Sequence, residues 1–254
     1  TKNWSRRKFL TSAGATPLVG ALASGCTTPP EPTIATENIY DHLNVRPFIN
    51  AAGTYTALTA SLMPVEVKAV MAEASQQFVS LNELHAAAGA RIAELVGVEA
   101  ALVTSGCAAA LTQATAACVC GRDQDAIRQV PNTTGLKNEV IIQRSHRFGY
   151  DHAIRNVGVN LVEVETRAEM EAAVSAKTAM LFFLNVTNNL GQIQREEFVG
   201  IGHQTGIPTL IDAAADLPPA DNLQAFTRLG FDLTAFSGGK GLRGPQCSGL
   251  LLGR

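Results

Sequence analysis

The sequence SGGKGLRGPQ, residues 237–246, follows a short apolar segment, residues 233–236, that is typical of a buried strand. Its glycines allow the backbone to turn tightly and to approach a ligand closely. Lys240 lies among these glycines, and the hydroxyl of Ser237 precedes it by three residues. A lysine in such a turn can bond covalently to a carbonyl group if its surroundings favour the neutral amine. Taken alone, the stretch slightly favours a surface turn with a solvated lysine, so the rest of the chain must decide.

Strand-like segments alternate with helical patterns through most of the chain. The pattern predicts strands at 100–104, 139–143, 160–164, 179–184, 209–211, 233–236 and 248–252, and helices at 64–78, 82–96, 107–118, 150–157, 168–175, 196–204 and 223–229. Continuous Val, Ile, Leu and Phe segments separated by helices indicate a parallel sheet covered on both faces. The last strand follows too closely for a helical crossover, so it can run antiparallel. We predict an α/β fold, a three-layer sandwich with a mostly parallel sheet of roughly seven strands.

The first 38 residues have the composition of an export signal and a linker. Paired arginines, Arg6 and Arg7, precede Phe9-Leu10 and a run of small apolar residues, which resembles a twin-arginine signal. Residues 23–26 resemble a lipoprotein cleavage box, in which Cys26 would be lipidated; the alternative is a cleaved soluble protein in which Cys26 has no such role. We predict a signal at 1–26, a stiff linker at 27–38, a ligand-binding domain at 39–254, and a periplasmic or membrane-anchored protein.

Charge and cysteine spacing exclude some functional classes. The chain has 254 residues and a formal net charge of −2. Four of its 20 basic residues, and none of its 22 acidic ones, precede Glu31, so the remainder is distinctly acidic. A broad nucleic-acid surface needs clustered Lys and Arg, and is therefore not expected. No C-x-x-C pair occurs, so we predict no metal site. The chain starts at Thr1 and stops at a strand-like segment, which we interpret as truncation at both ends.

Chemically useful residues collect at the carboxyl ends of the predicted strands, where doubly wound sheets bind ligands. They are Ser105, Gly106, Cys107, residues 144–150, residues 185–189, Asp212 and residues 237–240. This set fits pyridoxal phosphate, which needs a lysine, a carboxylate for its ring nitrogen and an anion site at a helix N-terminus. Each piece also has a simpler explanation: Gly106 can be a helix start, Asp212 an N-cap and His146 a loop histidine.

Four motifs together resemble the fold-type I pyridoxal-phosphate enzymes of the selenocysteine synthase superfamily, and more narrowly its branch that does not act on tRNA. They are FINAAGT (48–54), VTSGCAAA (103–110), LIDAAA (210–215) and FSGGKGLRGPQ (236–246). The resemblance implies that Lys240 is the Schiff-base lysine and Asp212 the partner of the pyridinium nitrogen. It further implies that the phosphate is contacted by Ser105, Gly106, Cys107 and Ser237. His146, with His152 as the alternate, would stack on the cofactor ring, and Asn185 or Asn188 would bond to its phenolic oxygen. Substrate contacts are implied for Asn50, Thr54 and Arg243.

The same resemblance sets the expected activity. It implies a lyase that removes the α-proton of a small amino acid or amino sugar acid, with β-elimination and release of ammonia, as in the ammonia-lyase-like members of the superfamily. A racemase or an aldolase would use the same residues, so these stay open. A true seryl-tRNA selenium transferase is the alternative, and a non-catalytic surface lipoprotein is less favoured. The family also implies a homodimer or larger homo-oligomer, and a smaller C-terminal domain that this sequence lacks.

Overall fold

The computed structural model describes residues 38–254. A boundary between two compact units falls after Ile49. The described part of the first unit contains one short helix, α1 (Ile39–His42), which is capped by the side chain of Asn38. The predicted signal, with Cys26, and nearly all of the predicted linker lie outside the described residues, so both stay predictions.

The second unit alternates helices and strands along the chain. Its helices are α2 (Val65–Ala74), α3 (Leu81–Val96), α4 (Cys107–Cys120), α5 (Gln124–Gln129), α6 (His152–Arg155), α7 (Arg167–Ala173), α8 (Arg195–Thr205) and α9 (Asn222–Leu229). Its strands are β1 (Ala100–Thr104), β2 (Glu139–Gln143), β3 (Asn160–Val164), β4 (Thr178–Leu184), β5 (Thr209–Asp212), β6 (Leu233–Ser237) and β7 (Gly249–Gly253). Three short 3-10 helices lie at Thr56–Leu58, Arg144–His146 and Asn185–Leu190. All seven predicted strands are present, within a residue of the predicted bounds.

The seven strands form one sheet in the order β1-β7-β6-β5-β4-β2-β3. Strands β2 to β6 pair in parallel, whereas β7 is antiparallel to both of its neighbours, β1 and β6. In this register Thr104 and Ser237 both lie opposite Gly249, and Asp212 lies opposite Ala235. The carboxyl ends of β1, β5 and β6 therefore meet at one edge of the sheet.

Helices cover both faces of this sheet, which confirms the predicted three-layer fold. On one face, α4, α5 and α6 pack on side chains such as Ile142, Phe182 and Leu210. On the other face, α3, α7, α8 and α9 pack on alternate residues such as Phe183 and Ile211. The strands are apolar on both faces because both are buried, which is the pattern expected of a parallel sheet between helices.

Two predicted segments differ in the structure. Residues 45–54, whose apolar pattern before a glycine turn also predicts a further short strand, form no strand. The helix expected at 64–78 ends at Ala74, and none of its residues is buried. Phe78, which the amphipathic pattern had placed on the helix, is fully exposed at 106%. An amphipathic pattern extends a helix only where its apolar face packs against a core, because packing supplies most of the stability of a helix.

In the part of the chain that the structure describes, none of the helices has both the length and the apolar character that a membrane span requires.

Replacing Gly249 with alanine should destabilise the fold at this edge of the sheet. A Cβ at this position would lie 2.4 Å from the carbonyl carbon of Gly106 and 2.6 Å from Oγ1 of Thr104. Backbone atoms cannot move aside easily, so we expect the Gly249→Ala variant to lose about 2 kcal/mol of unfolding free energy in urea. Gly253→Ala is the matched control, because in the same strand its Cβ would meet other atoms only at 3.8 Å or more. Equal stability of the two variants would contradict the argument.

Candidate active site

The N-terminus of α4 opens at the edge of the sheet with no side chain to cap it. Gly106 precedes the helix with a φ of 103°, a backbone conformation that residues other than glycine rarely adopt. The first hydrogen bond of the helix runs from the amide of Ala110 to the carbonyl of Gly106, at 3.1 Å. The amides of the preceding turn, which begins at Cys107, therefore remain available to an anion, and the helix dipole favours negative charge there.

Asp212 ends β5 with its carboxylate directed at α4. The side chain is only 5% exposed. Its Oδ1 accepts a hydrogen bond from the amide of Ala214 at 2.9 Å and lies 3.8 Å from the thiol of Cys107. Burial raises the pKa of Asp212 to about 6, while the Ala214 bond and the charge of Lys240 partly oppose this increase. A buried carboxylate of this kind is stabilised by a cation placed beside it.

Lys240 lies in a closely packed glycine turn that follows β6. The amide of Gly244 donates to the carbonyl of Gly238 at 2.7 Å, which closes the turn. A Cβ on Gly239 would lie 2.6 Å from Cα of Gln246, and the carbonyl of Gly239 accepts a hydrogen bond from Ser61. Glycine is thus required where the two arms of the turn touch, and this contact fixes the position of Lys240.

The helix start, the carboxylate and the lysine line one cavity of about 150 Å³. Of the residues singled out in the sequence, the structure brings five together there: Gly106, Cys107, Asp212, Ser237 and Lys240. Burial, followed by the charge of Asp212, raises the pKa of the Cys107 thiol well above its usual value. The thiol therefore stays protonated, and Cys107 contributes its backbone amide to this cavity rather than a reactive sulfur.

Several predicted residues lie outside the lining of this cavity. Ser105 is exposed between β1 and α4. Asn50 hydrogen-bonds its own loop at Ala52 and Gly53, and Thr54 is half-buried nearby in sequence. Arg243 is exposed and donates to the carbonyl of Leu62 at 3.3 Å. These positions test neither the phosphate contact predicted for Ser105 nor the substrate contacts predicted for the other three residues, so these roles stay predictions.

The two predicted asparagines lie in the 3-10 helix that follows β4. Oδ1 of Asn185 accepts a hydrogen bond from Nη1 of Arg195 at 3.3 Å. Asn188 donates to Asn189, while its own Oδ1 is buried without a hydrogen-bond partner in the described chain. Neither asparagine lines the cavity, so a bond from either to the cofactor stays a prediction.

His146 is not placed to stack on a ring in this cavity, which corrects the prediction. It is fully buried, and its Nδ1 accepts from the amide of Leu184 at 3.2 Å. Its ring meets the edge of Phe183 at 4.4 Å, in the core on the opposite face of the sheet from α4. Burial lowers the pKa of His146 to about 4, so the ring is neutral and structural. The alternate, His152, is exposed and bound to the carbonyl of Gly149.

Three polar or aromatic residues of the cavity were given no role by sequence reasoning. Tyr150, Thr56 and Gln246 all line it, beside the five predicted residues. Tyr150 is the most informative of them, because it supplies an aromatic ring from the loop after β2. The sequence signal was present, since residues 144–150 had been marked as a strand end, but the histidine of that loop was chosen instead of the tyrosine.

The cavity fits pyridoxal phosphate on its own geometry. The uncapped start of α4 can hold a phosphate, and Lys240 can bond to the aldehyde. The buried carboxylate of Asp212 forms no ion pair within 4 Å among the described residues, so it can face a protonated ring nitrogen. Tyr150 offers a flat surface to a ring. Among residues 38–254, no group of His, Cys, Asp and Glu is arranged to hold a metal ion.

Comparison with known proteins points the same way. The Aminotransferase class-V family matches residues 138–254. D-glucosaminate-6-phosphate ammonia lyase of Salmonella typhimurium is 31% identical over 230 residues, which cover 86% of this chain and 61% of the relative. A solved structure of a D-glucosaminate-6-phosphate ammonia-lyase superposes with a TM-score of 0.80, at 31% identity, over 86% of this chain and 61% of that one.

Other relatives carry different activities. A 5'-C-glycyluridine monooxygenase-decarboxylase of Streptomyces is 32% identical over 85% of this chain and 56% of its own length. The L-seryl-tRNA(Sec) selenium transferase of Moorella thermoacetica is 27% identical over 92% of this chain and 55% of its own. The chain thus spans between about half and three fifths of the length of these relatives.

Proposed function

We propose that this chain is a lyase of the fold-type I pyridoxal-phosphate superfamily, which uses this cofactor on a small amino acid or amino sugar acid; the similarity to the Aminotransferase class-V family and to an ammonia lyase supports this. One observation carries the proposal: the uncapped start of α4, the buried carboxylate of Asp212 and the amine-bearing turn of Lys240 line a single cavity. The similarity to an ammonia lyase over most of the chain favours β-elimination followed by release of ammonia over the other reactions of the superfamily.

The residues of the cavity divide the work of holding the cofactor. Pyridoxal phosphate, when bound, supplies an electrophilic carbon for the substrate amine and a conjugated ring that accepts electrons from the substrate Cα. The amides at the start of α4 and the hydroxyl of Ser237 would hold its phosphate. The carboxylate of Asp212 would face the ring nitrogen and keep it protonated. Lys240 would anchor the cofactor until substrate arrives.

Lys240 also has the position for proton transfer. Lys240 lines the cavity, so its amine, once it is free of the cofactor, can accept the proton from the substrate Cα. The same ammonium can then donate a proton to a hydroxyl group on the substrate Cβ, which departs as water. The substrate nitrogen would leave afterwards as ammonia, when water hydrolyses the released enamine or imine. The half-enclosed cavity limits the water that competes for these protons.

A test of the reaction class needs the full-length protein loaded with pyridoxal phosphate. We expect ammonia release from D-glucosaminate 6-phosphate or a related amino sugar acid, measured with a coupled ammonia assay. Exchange of the α-proton in deuterated water without ammonia release would instead indicate a racemase. Absence of both reactions with a broad panel of amino acids would overturn the proposal.

A selenium transferase is the second candidate, since proteins with that name are 27–33% identical to this chain. Its substrate carries an RNA, whose phosphates require a basic surface. Outside its first 30 residues this chain has more acidic than basic residues, which favours a small substrate. Binding of seryl-tRNA in a gel-shift assay at low salt would reverse this preference.

We also propose that the protein forms a homodimer and is exported from the cytoplasm. Exposed apolar side chains on and after α2, among them Val70, Met71 and Phe78, suit burial against a second copy in a homodimer. The twin-arginine-like start supports export to the periplasm, with Cys26 as a candidate membrane tether. Sedimentation of the full-length protein and its fractionation from cells test these two statements separately.

Tyr150 should contribute to holding the cofactor ring. It is 48% exposed and lies at the cavity, where a bound ring would cover it. Loss of an aromatic contact costs roughly 1 kcal/mol, so Tyr150→Ala should raise the dissociation constant of pyridoxal phosphate by about fivefold. Tyr150→Phe keeps the ring and should bind the cofactor as the wild type does, in a fluorescence titration. An unchanged dissociation constant in Tyr150→Ala would exclude the stacking role.

A further inference from the structure

The segment that carries Tyr150 to the cavity contains one buried carboxylate, that of Asp151, which is 3% exposed. Its Oδ2 accepts a hydrogen bond from Nε of Arg147 at 2.6 Å, and its Oδ1 accepts one from Nε of Arg155 at 3.1 Å. Burial acts to raise the pKa of Asp151, but the hydrogen bonds and charges of the two arginines outweigh burial and lower the pKa. The carboxylate is therefore ionised and bound between two guanidinium groups.

The two arginines stand on opposite sides of the tyrosine in the chain. Arg147 lies three residues before Tyr150, and Arg155 lies five residues after it. Because both guanidinium groups bind the same carboxylate, the chain before the tyrosine is joined to the chain after it. A backbone hydrogen bond from the amide of Ala153 to the carbonyl of Tyr150, at 2.9 Å, closes the turn in between.

Each side of this segment is also attached to regular structure. On one side, Nη1 of Arg147 binds the carboxylate of Glu163 on β3. On the other side, the hydroxyl of Thr112 in α4 donates to the carbonyl of Ala153 in α6 at 2.8 Å. The start of α4 lines the cavity, so this bond relates the tyrosine segment to the cavity. The carboxylate of Asp151 thus joins a part of the segment that is fixed to the sheet with a part that is fixed to α4.

We infer that Asp151 is a positioning residue for Tyr150, because its carboxylate binds Arg147 and Arg155 together and so holds the tyrosine ring at the cavity. Asp151 does not itself line the cavity, so it acts through the neighbouring tyrosine. Without its negative charge the two guanidinium groups would repel each other, and the segment between them would open. The contact of the ring with a cofactor rests on the proposed function, whereas the ion pairs that fix the segment do not.

Hydrogen exchange measures the order of the segment in the cofactor-free protein. Asp151→Asn keeps the size of the side chain but removes its charge. We expect the amides of residues 151–155 to exchange with deuterium about tenfold faster in this variant than in the wild type, as followed by mass spectrometry. Arg155→Met removes one of the two arginines and leaves the pair of Asp151 with Arg147, so it should accelerate exchange less.

A double-mutant cycle of cofactor binding shows whether Asp151 acts through the tyrosine. Asp151→Asn should raise the dissociation constant of pyridoxal phosphate by about fivefold, as Tyr150→Ala does, and the double variant should show the same increase rather than the product of about twenty-fivefold. Arg155→Met should raise it by about twofold, which keeps the test available if Asp151→Asn folds poorly. Increases that multiply in the double variant would overturn the inference, because Asp151 would then act by a route that does not involve Tyr150.

Asp125→Asn is the matched control, because it removes an exposed carboxylate that pairs with Arg128 on α5. Its exchange rates in the tyrosine segment and its dissociation constant should equal those of the wild type. Wild-type values of both quantities in Asp151→Asn and in Arg155→Met would overturn the inference. The proposed function fails by a different result, namely that the wild-type protein does not bind pyridoxal phosphate, and the exchange rates would still report whether Asp151 fixes the segment.

Discussion

The Lys240→Ala variant should lose covalent attachment of pyridoxal phosphate and almost all activity. Lys240 is the one lysine that lines the described cavity, and it would serve both as the anchor and as the proton acceptor. Removing a general base typically costs 10²–10⁴-fold in rate, and loss of the anchor adds to this, so we expect about a 10³-fold decrease or more in kcat/KM. The visible absorbance of the lysine-bound cofactor should disappear at the same time.

Two further variants distinguish loss of the reactive amine of Lys240 from loss of a positive charge. Lys240→Arg keeps a cation in the turn but cannot attach the aldehyde, so it should behave as Lys240→Ala does in both measurements. Lys177→Ala removes an exposed lysine next to the opposite end of β4 and should retain the absorbance and the rate. If the absorbance survives in Lys240→Ala, another amine carries the cofactor and the assignment of the site is wrong.

The central part of this site could be predicted because strand order and strand ends determine it. Asp212 and Lys240 each follow an uninterrupted apolar strand, and the carboxyl ends of parallel strands meet at one edge. The start of α4 joins them because β7 runs antiparallel between β1 and β6 and brings Gly106 to the same edge. These positions depend on the backbone alone, which hydrophobic patterning specifies well.

Side-chain direction in irregular loops could not be predicted in this way. His146 and Tyr150 lie four residues apart in the segment after β2, and only the folded backbone turns the first into the core and the second towards the cavity. The predicted bond from Asn185 or Asn188 to the cofactor stays a prediction, and nothing in the sequence indicates that Oδ1 of Asn185 accepts a hydrogen bond from Arg195. Loop residues carry no period, so hydrophobicity gives no information about which face they take.

The Asp212→Asn variant should make the cofactor-free protein more stable and the enzyme less active. The pKa of Asp212 is about 6 in the folded chain, against an ordinary value of 3.8. The folded state therefore holds the proton more tightly, and the free energy of unfolding falls as pH rises through this interval, by about 2–3 kcal/mol. Asparagine carries no charge, so the variant should match the wild type near pH 4 and exceed it by up to about 2 kcal/mol at pH 7.

Cofactor binding should reverse this advantage. A protonated ring nitrogen beside the carboxylate would stabilise its charge in the wild type, whereas asparagine offers only a neutral contact. Pyridoxal phosphate should then raise the Tm of the wild type more than that of Asp212→Asn, and kcat/KM of the variant should decrease by about 10²-fold. Asp221→Asn controls for the loss of one negative charge. A variant that is less stable than the wild type without cofactor at pH 7 would show that the Asp212 charge is already compensated by the chain itself.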